Sequence, residues 1–511
     1  MSDYTRGLYH QLEDVITRLD SLQLTLEKER TAHKEELSKI LDDHKSELSK
    51  LRIENRSQQN KLLEEIQKLN AELAEANRVI QLLKEENERL KRKDNNDSSN
   101  SSNPPSSDGP GKRANTYNGR KKSENSKGAQ PGHKGTTLKK KDVEQKIADG
   151  SIRHEVINMG SGGGKYISKY VLDFEVNVVA KEYRFYPDEN GKYNIPAEYR
   201  SDVIYGNNIK SAAVEMYCED VVANDKIAEF LNSLTHNKLN ISTGSVYNFI
   251  RTFSEKAEDA IETIRNKLLD SDVVYTDATS TSMNGKEVYI RNHSTNDAVL
   301  YCPMYSKSKS ALASTEVLNK FAGILVHDHE TVMYHFGTGH SECNAHILRY
   351  LKKNSEETGN KWSKDMASFL AGINNAKKAA VTAGKTGFSD VEYERYSNRY
   401  NEIIAEGRKQ KGNTRGTIAY REETALINRM EKYKDAHLMF AKNFKVDFTN
   451  NLSERDLRIC KNRDKMSGGF RDRSGHEMYC RILSVLRTCK RQNLDILNSI
   501  ASIYKGQSVL L

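Results

Sequence analysis

Between residues 8 and 93 apolar positions recur at alternating spacings of four and three. Leu8, Val15 and Leu22 interleave with Leu12, Leu19 and Leu26, a heptad seam of the kind that joins helices side by side. A second block runs through Leu69, Leu73, Ala76, Ile80, Leu83, Asn87 and Leu90. His33, His44, Asn55 and Gln58 fall at would-be core places between them, so the register slips. The span has no Pro or Gly, and residues 1–93 read as a helical coiled coil. A homodimer or higher oligomer follows from it, and Asn87 at an a position favours two strands. The other reading is a long helix packed on its own domain.

The pattern then changes several times. Residues 94–145 open with Asn, Ser and Pro, cannot bury apolar area, and predict a disordered basic linker. Residues 146–206 alternate apolar and polar positions, as in Tyr170-Val171-Leu172-Asp173-Phe174-Glu175-Val176, and predict a small β module. Residues 207–270 turn helical. Ile227–Leu231 and Ser245–Ile250, with an Asn/Ser/Thr/Gly break between them, suggest a helix-turn-helix that could read DNA, or ordinary helix packing. Residues 271–354 read strand, strand, strand, helix over Ala311–Phe321, strand, helix. Residues 355–443 are helical and polar, as an insertion would be, and residues 444–511 close the chain with a helix around Glu454 and a basic continuation. The fold class is α+β, with a mixed sheet and a crossover helix.

Charge sharpens this. The net charge is +9, but Lys112 to Lys141 holds ten Lys or Arg against one acid, and Arg455 to Arg491 holds eleven against four. Two basic blocks on a mildly acidic remainder point to a polyanion such as DNA; the plainer reading is two solvated basic surfaces. Candidate DNA contacts are Lys121, Lys122 and Lys134 in the linker and Arg455, Arg458, Lys461, Lys465 and Arg471 near the end. Six scattered cysteines without a CxxC pair, and an N-terminus without signal-peptide features, predict a reducing, cytoplasmic setting, at the nucleoid when DNA is bound. No apolar run is long enough to predict a membrane span.

Three carboxylates are candidates for chemistry. Val273-Val274-Tyr275-Thr276-Asp277 and Gly323-Ile324-Leu325-Val326-His327-Asp328 each read as a buried strand delivering an aspartate, and Glu454 lies where a helix begins. Two strand-borne aspartates and a helix-borne glutamate could hold two Mg²⁺ or Mn²⁺ ions for phosphodiester chemistry. An Asp after a strand is also a common turn residue, and Asn451-x-x-Glu454 could be a helix-capping pair.

Several blocks resemble the transposases of the insertion sequence sixty-six family. They are Asn103-Pro104-Pro105-Ser106-Ser107-Asp108-Gly109, Gln130-Pro131-Gly132-His133-Lys134-Gly135, and Cys343-Asn344-Ala345-His346-Ile347-Leu348-Arg349. The most specific is Asn450-Asn451-Leu452-Ser453-Glu454-Arg455-Asp456-Leu457-Arg458, followed by Lys465-Met466-Ser467-Gly468-Gly469-Phe470-Arg471. The resemblance implies an RNase H-like, retroviral-integrase-like core with an Asp-Asp-Glu triad at Asp277, Asp328 and Glu454. It implies metal-dependent cleavage at the terminal inverted repeats of a transposon and strand transfer into target DNA. The sequence departs from the family pattern at Asp277-Ala278-Thr279, where relatives read Asp-Glu-Thr. It departs again at Asp328-His329-Glu330, where relatives have Gly-Tyr after the Asp. It also lacks the cysteines of a zinc ribbon before Cys218.

His327, His329, His335, His340, Cys343 and His346 crowd one short stretch, but their spacing fits no compact zinc pattern, so zinc is not expected. Arg455 and Arg458 could meet phosphates or pair with Asp456, and Trp362 could stack or pack. A rival to the transposase is a DNA-binding scaffold with a catalytically inactive core.

Overall fold

The structure is a computed structural model and describes residues 3–43, 63, 65–83, 86, 132, 138–159, 165–414 and 418–510. Lys121, Lys122, Lys134, Asn87 and Leu90 lie outside the described residues. The chain divides into two compact units. One comprises Met1–Tyr117, Arg349–Lys364 and Gly407–Ile427; the other comprises Asn118–Leu348, Asp365–Glu406 and Asn428–Leu511.

In the first unit, α1 (Asp3–Asp43) is one unbroken helix, and residues 65–83 are helical too. Val15, Leu19, Leu22 and Leu26 are half-buried while most of their neighbours are exposed. Leu69, Leu73, Ala76, Ile80 and Leu83 show the same contrast, so shelter follows the heptad positions. Elsewhere in this unit Trp362 is fully buried and its indole N–H donates to Glu423 at 2.7 Å. Asn360 donates to the same carboxylate at 2.7 Å. Trp362 is therefore a packing residue with its polar edge satisfied.

The second unit starts with α2 (Lys140–Ala148), a helix inside what reads as linker, held at its first turn by Asp142 accepting from the Lys139 N–H. The small β module is not found: among described residues 165–206 there is one isolated bridge, Pro187–Tyr193, and one 3-10 turn, Ala197–Tyr199. Val171 and Phe174 stand open to solvent. Alternation alone does not make a strand, because the apolar face needs another surface to cover it, and among the described residues Val171 and Phe174 meet none.

Four helices follow: α3 (Asn207–Cys218), α4 (Asn224–Leu234), α5 (Thr243–Lys256) and α6 (Glu258–Leu269). The α4–α5 connection spans residues 235–242 and carries left-handed His236, Asn237 and Asn240. That is longer than the three- or four-residue turn of a helix-turn-helix. Val246, Ile250 and Phe253 of α5 enter the common apolar core.

The sheet has five strands: β1 (Val273–Met283), β2 (Lys286–Ser294), β3 (Val299–Met304), β4 (Ile324–His327) and β5 (Gly339–Glu342). Its order is β3-β2-β1-β4-β5. The first three form an antiparallel meander, and β4 and β5 add parallel to β1. The crossover from β3 to β4 holds two short helices, α7 (Lys309–Ala313) and α8 (Val317–Lys320), in place of one helix over 311–321.

Helices fill most of 344–442: α9 (Asn344–Thr358), α10 (Lys361–Thr382), α11 (Asp390–Gln410), α12 (Ile418–Lys432) and α13 (Lys434–Lys442). The chain then returns to the sheet through α14 (Asn451–Asp456), α15 (Arg458–Ser467), α16 (Arg473–Arg491) and α17 (Ile496–Tyr504). α16 covers the outer edge of the meander. Ser484 and Thr488 hydroxyls accept the Tyr301 and Val299 N–H groups at 2.8 and 3.1 Å, which leaves that edge without open donors there. Among the described residues no helix is long and apolar enough to cross a membrane.

Candidate active site

The strand register explains how Asp277 and Asp328 meet. β1 and β4 run parallel with Val273 opposite Ile324 and Tyr275 opposite Val326. Carried two residues further, the same register sets Asp328 beside Asp277, just past the end of β4. On the other side of β1, Asp277 is opposite Asn292 of β2.

Asn292 is fully buried and ties the site together. Its side-chain oxygen accepts from the Asp277 N–H at 3.0 Å and from the Ser453 hydroxyl at 2.5 Å. Its amide donates to the Ser453 carbonyl at 3.1 Å. One side chain thus fixes both the strand that carries Asp277 and α14, which carries Glu454. Asn450 adds a second tie. Its side-chain amide donates to the Thr276 carbonyl at 2.9 Å, and its backbone N–H donates to Cys343 Sγ at 3.2 Å. Asn450 is the cap residue of α14, yet its side chain makes no capping bond, and Asn451 is exposed. The capping reading of this block gives way to cross-linking between α14, β1 and the start of α9.

Asp328 and Glu454 come together, and Asp277 lies close enough to feel both charges. One ligand atom from each of Asp328, Cys343, His346 and Glu454 lies within 4.8 Å of all the others. Asp277 feels the same charges: burial and then the Asp328 carboxylate push its pKa from 3.8 to about 7, with Glu454 adding to the rise and Arg291 opposing it. His346 Nδ1 is 3.1 Å from Asp328 Oδ1. Burial disfavours a charged imidazole there, but Asp328 and Cys343 outweigh it and lift the His346 pKa well above the usual value. Glu454 Oε1 is buried with no hydrogen-bond partner among the described residues. Crowded carboxylates, with the proton affinity of Asp277 raised, and a bare oxygen fit a divalent cation, which would replace the proton as counter-charge.

The turn after β4 is clasped from two sides. Arg291, fully buried on β2, bonds Glu330 at 2.5 Å and the Thr276 hydroxyl at 3.2 Å. Glu342 at the end of β5 is buried as well. It takes His329 Nδ1 at 2.7 Å and the Tyr334 hydroxyl at 2.8 Å on one oxygen, and Arg429 at 2.7 Å and His437 Nε2 at 3.2 Å on the other. Burial alone would raise its pKa, but the bonds from His329 and His437 and the Arg429 charge hold it far below the carboxylate range. His329 and Glu330, which depart from the family pattern in sequence, are the residues that these two partners grip. Arg349 is half-buried on α9, two turns beyond Cys343.

The basic C-terminal block divides in two. Arg455, Arg458, Lys465 and Arg471 are exposed and Lys461 half-exposed, and none of the five forms an ion pair among the described residues. Asp456 instead takes Arg491 through both oxygens at 2.6 Å. Arg463 is buried against the Tyr217, Phe470 and Tyr479 rings at 4.5, 5.2 and 4.4 Å. Arg481, Arg487 and Lys490 pair with Glu258 and Glu219. About half of the block is therefore internal structure.

Sequence reading missed Asn292, Arg291 and Glu342. The signal for the first two was a run of polar residues, Arg291 to Ser294, in a strand where all four are buried.

Comparison with known families agrees with the motifs. Residues 203–478 match the transposase IS66 family, and residues 52–139 match a family of unknown function (DUF6444). No curated protein matches the chain. The first match takes in the whole sheet, all three carboxylates and more than half of the sequence, and by it the chain belongs to the IS66 family of transposases.

Proposed function

We propose that the chain is a DNA transposase that cleaves phosphodiester bonds at transposon ends and joins the freed 3′ hydroxyl to target DNA. Asp277, Asp328 and Glu454 are its catalytic carboxylates. The observation that carries this reading is the convergence of the three, from β1, the end of β4 and α14, on a sheet of order β3-β2-β1-β4-β5. That order, with a three-strand meander and two parallel strands, supports an RNase H-like core.

The carboxylates would hold Mg²⁺ or Mn²⁺, most simply a pair of ions. Bound there, the ions supply Lewis acidity to the scissile phosphate and lower the pKa of the attacking hydroxyl or water. The protein's part is to set the carboxylates in place through Asn292, Asn450 and Arg291, and to offer Arg455, Arg458, Lys461, Lys465 and Arg471 to the DNA backbone. Asp277→Asn, Asp328→Asn and Glu454→Gln should each lower Mn²⁺-dependent nicking of a terminal-repeat duplex on the order of 10³-fold, since each removes several kcal/mol of charge stabilisation. Duplex affinity should stay near wild type. A variant that nicks at the wild-type rate removes its residue from the triad.

We also infer that the α1 seam pairs copies of the chain, because Val15, Leu19, Leu22 and Leu26 hold the heptad positions. Light scattering should give at least twice the monomer mass for the full chain and a lower mass for a Leu19→Glu/Leu22→Glu variant. A wild-type monomer at micromolar concentration would end this reading.

A further inference from the structure

The donor set at the site is wider than three carboxylates. Cys343 ends the turn after β5 and His346 lies in the first turn of α9; both are buried, and both bring their ligand atoms into the cluster with Asp328 and Glu454. We propose that Cys343 Sγ, His346, Asp328 and Glu454 form a mixed sulfur–nitrogen–oxygen site for one borderline transition-metal ion. It would bind Zn²⁺ or Co²⁺ in preference to Mg²⁺. This deepens the function proposed above, giving one of its metal positions a ligand set that Mg²⁺ does not favour.

Distances decide whether four such groups can share an ion. Zinc–sulfur, zinc–nitrogen and zinc–oxygen bonds in a tetrahedral site put the donors roughly 3.4–3.7 Å apart. Here the donors lie within 4.8 Å of one another without an ion to draw them in. Closing about 1 Å falls within the reach of side-chain rotation. Scaffolding is already present. The Cys343 N–H donates to the His327 carbonyl at 2.9 Å, and Cys343 Sγ accepts from the Asn450 N–H at 3.2 Å. That bond leaves sulfur lone pairs for a cation, as amide-to-thiolate bonds do around metal-bound cysteines. Glu454 Oε1, buried and without a hydrogen-bond partner among the described residues, supplies an oxygen with nothing else to bind.

The chemistry of the donors sets the selectivity. Mg²⁺ is hard, seeks six oxygens and dehydrates reluctantly. A thiolate and an imidazole suit Zn²⁺ and Co²⁺, whereas Mn²⁺, like Mg²⁺, prefers oxygen ligands. Asp277 is outside the four-donor cluster, so an oxygen-rich position toward Asp277 remains for a hard ion.

The test is Co²⁺ titration of the full-length protein, read by absorption. A near-ultraviolet thiolate-to-cobalt charge-transfer band at one Co²⁺ per chain, undiminished by millimolar Mg²⁺, is the expected result. Cys343→Ser should abolish the band, and His346→Ala should weaken Co²⁺ binding at least about tenfold. Melting curves in chelator check that each variant folds, and the wild-type spectrum decides the matter without them. Co²⁺ binding with no thiolate band would overturn the mixed site while leaving the carboxylate transposase intact. Stoichiometric Mg²⁺ displacing Co²⁺ at equal concentration would overturn it too. Absence of all divalent binding, together with absence of nicking, would remove the functional reading itself.

Discussion

Asp277 shows in one side chain what the site does to its own charge. Its carboxyl titrates near pH 7 in the folded chain against 3.8 ordinarily, through burial and the Asp328 charge. Below about pH 4 the folded and unfolded chains both carry the proton, and the group does not affect stability. As pH rises to 7 the unfolded carboxyl ionises first, so the folded state is penalised, in full above 7. In chelator, wild type should therefore lose stability between pH 4 and 8, and Asp277→Asn should lose less. The variant should be the more stable at pH 8, by on the order of 2 kcal/mol, as thermal melts can measure. Asn292→Ala acts in the other direction. It strips partners from the Asp277 N–H and the Ser453 hydroxyl, and at ~1–3 kcal/mol per orphaned group urea unfolding should show a loss of about 3 kcal/mol. Nicking should fall as well, because α14 loses one of its two ties to β1. The carboxylates were legible in sequence because each ends an apolar strand or sits in a dense motif. Asn292 was not, because a buried polar residue in a strand acquires meaning only from what lies opposite it.

Among the elements, strands that bury apolar runs on both faces were readable: Val273–Tyr275 and Ile324–Val326 could be little else. The end of β2 was harder, since Arg291 to Ser294 are polar yet fully buried, each answered from another element or enclosed in the core. Residues 165–206 differ the opposite way, with a strand's alternation and, among the described residues, no surface that receives it. The Gly468-Gly469-Phe470 block finds its explanation only in three dimensions. Gly469 has φ +100°, and a Cβ there would collide with the Ser282 carbonyl oxygen. The close approach lets the Phe470 N–H donate to that oxygen at 2.7 Å, while the Phe470 carbonyl accepts the Asn284 N–H at 2.9 Å. Asp464 takes the Thr281 hydroxyl and Ser282 N–H at 2.8 and 2.9 Å. α15 is thereby fastened to the β1–β2 hairpin, and its exposed cations are held in a fixed place relative to the carboxylates.

For the whole molecule, the question is where DNA lies. The net charge of +9 overstates the cations available, since Arg463, Arg481, Arg487, Lys490 and Arg491 are spent on internal partners. Those left on α14, α15 and the loop after it are Arg455, Arg458, Lys461, Lys465 and Arg471. Each that meets a phosphate releases about one counterion, so replacing Arg458, Lys465 and Arg471 together by Ala should reduce the slope of log affinity against log salt by about 3. Duplex binding measured between low and moderate salt gives the slope; an unchanged value would move the DNA to another face.

Glu454 reaches the sheet only after the chain has passed through the helices of 344–442. During synthesis, the ribosome delivers both aspartates long before it delivers the glutamate. A polypeptide that stops short of residue 454 lacks the last carboxylate, and with it the α16 hydroxyls that close the β3 edge. Under the function proposed above, such a chain would be without its full set of carboxylates until translation has passed the helical excursion.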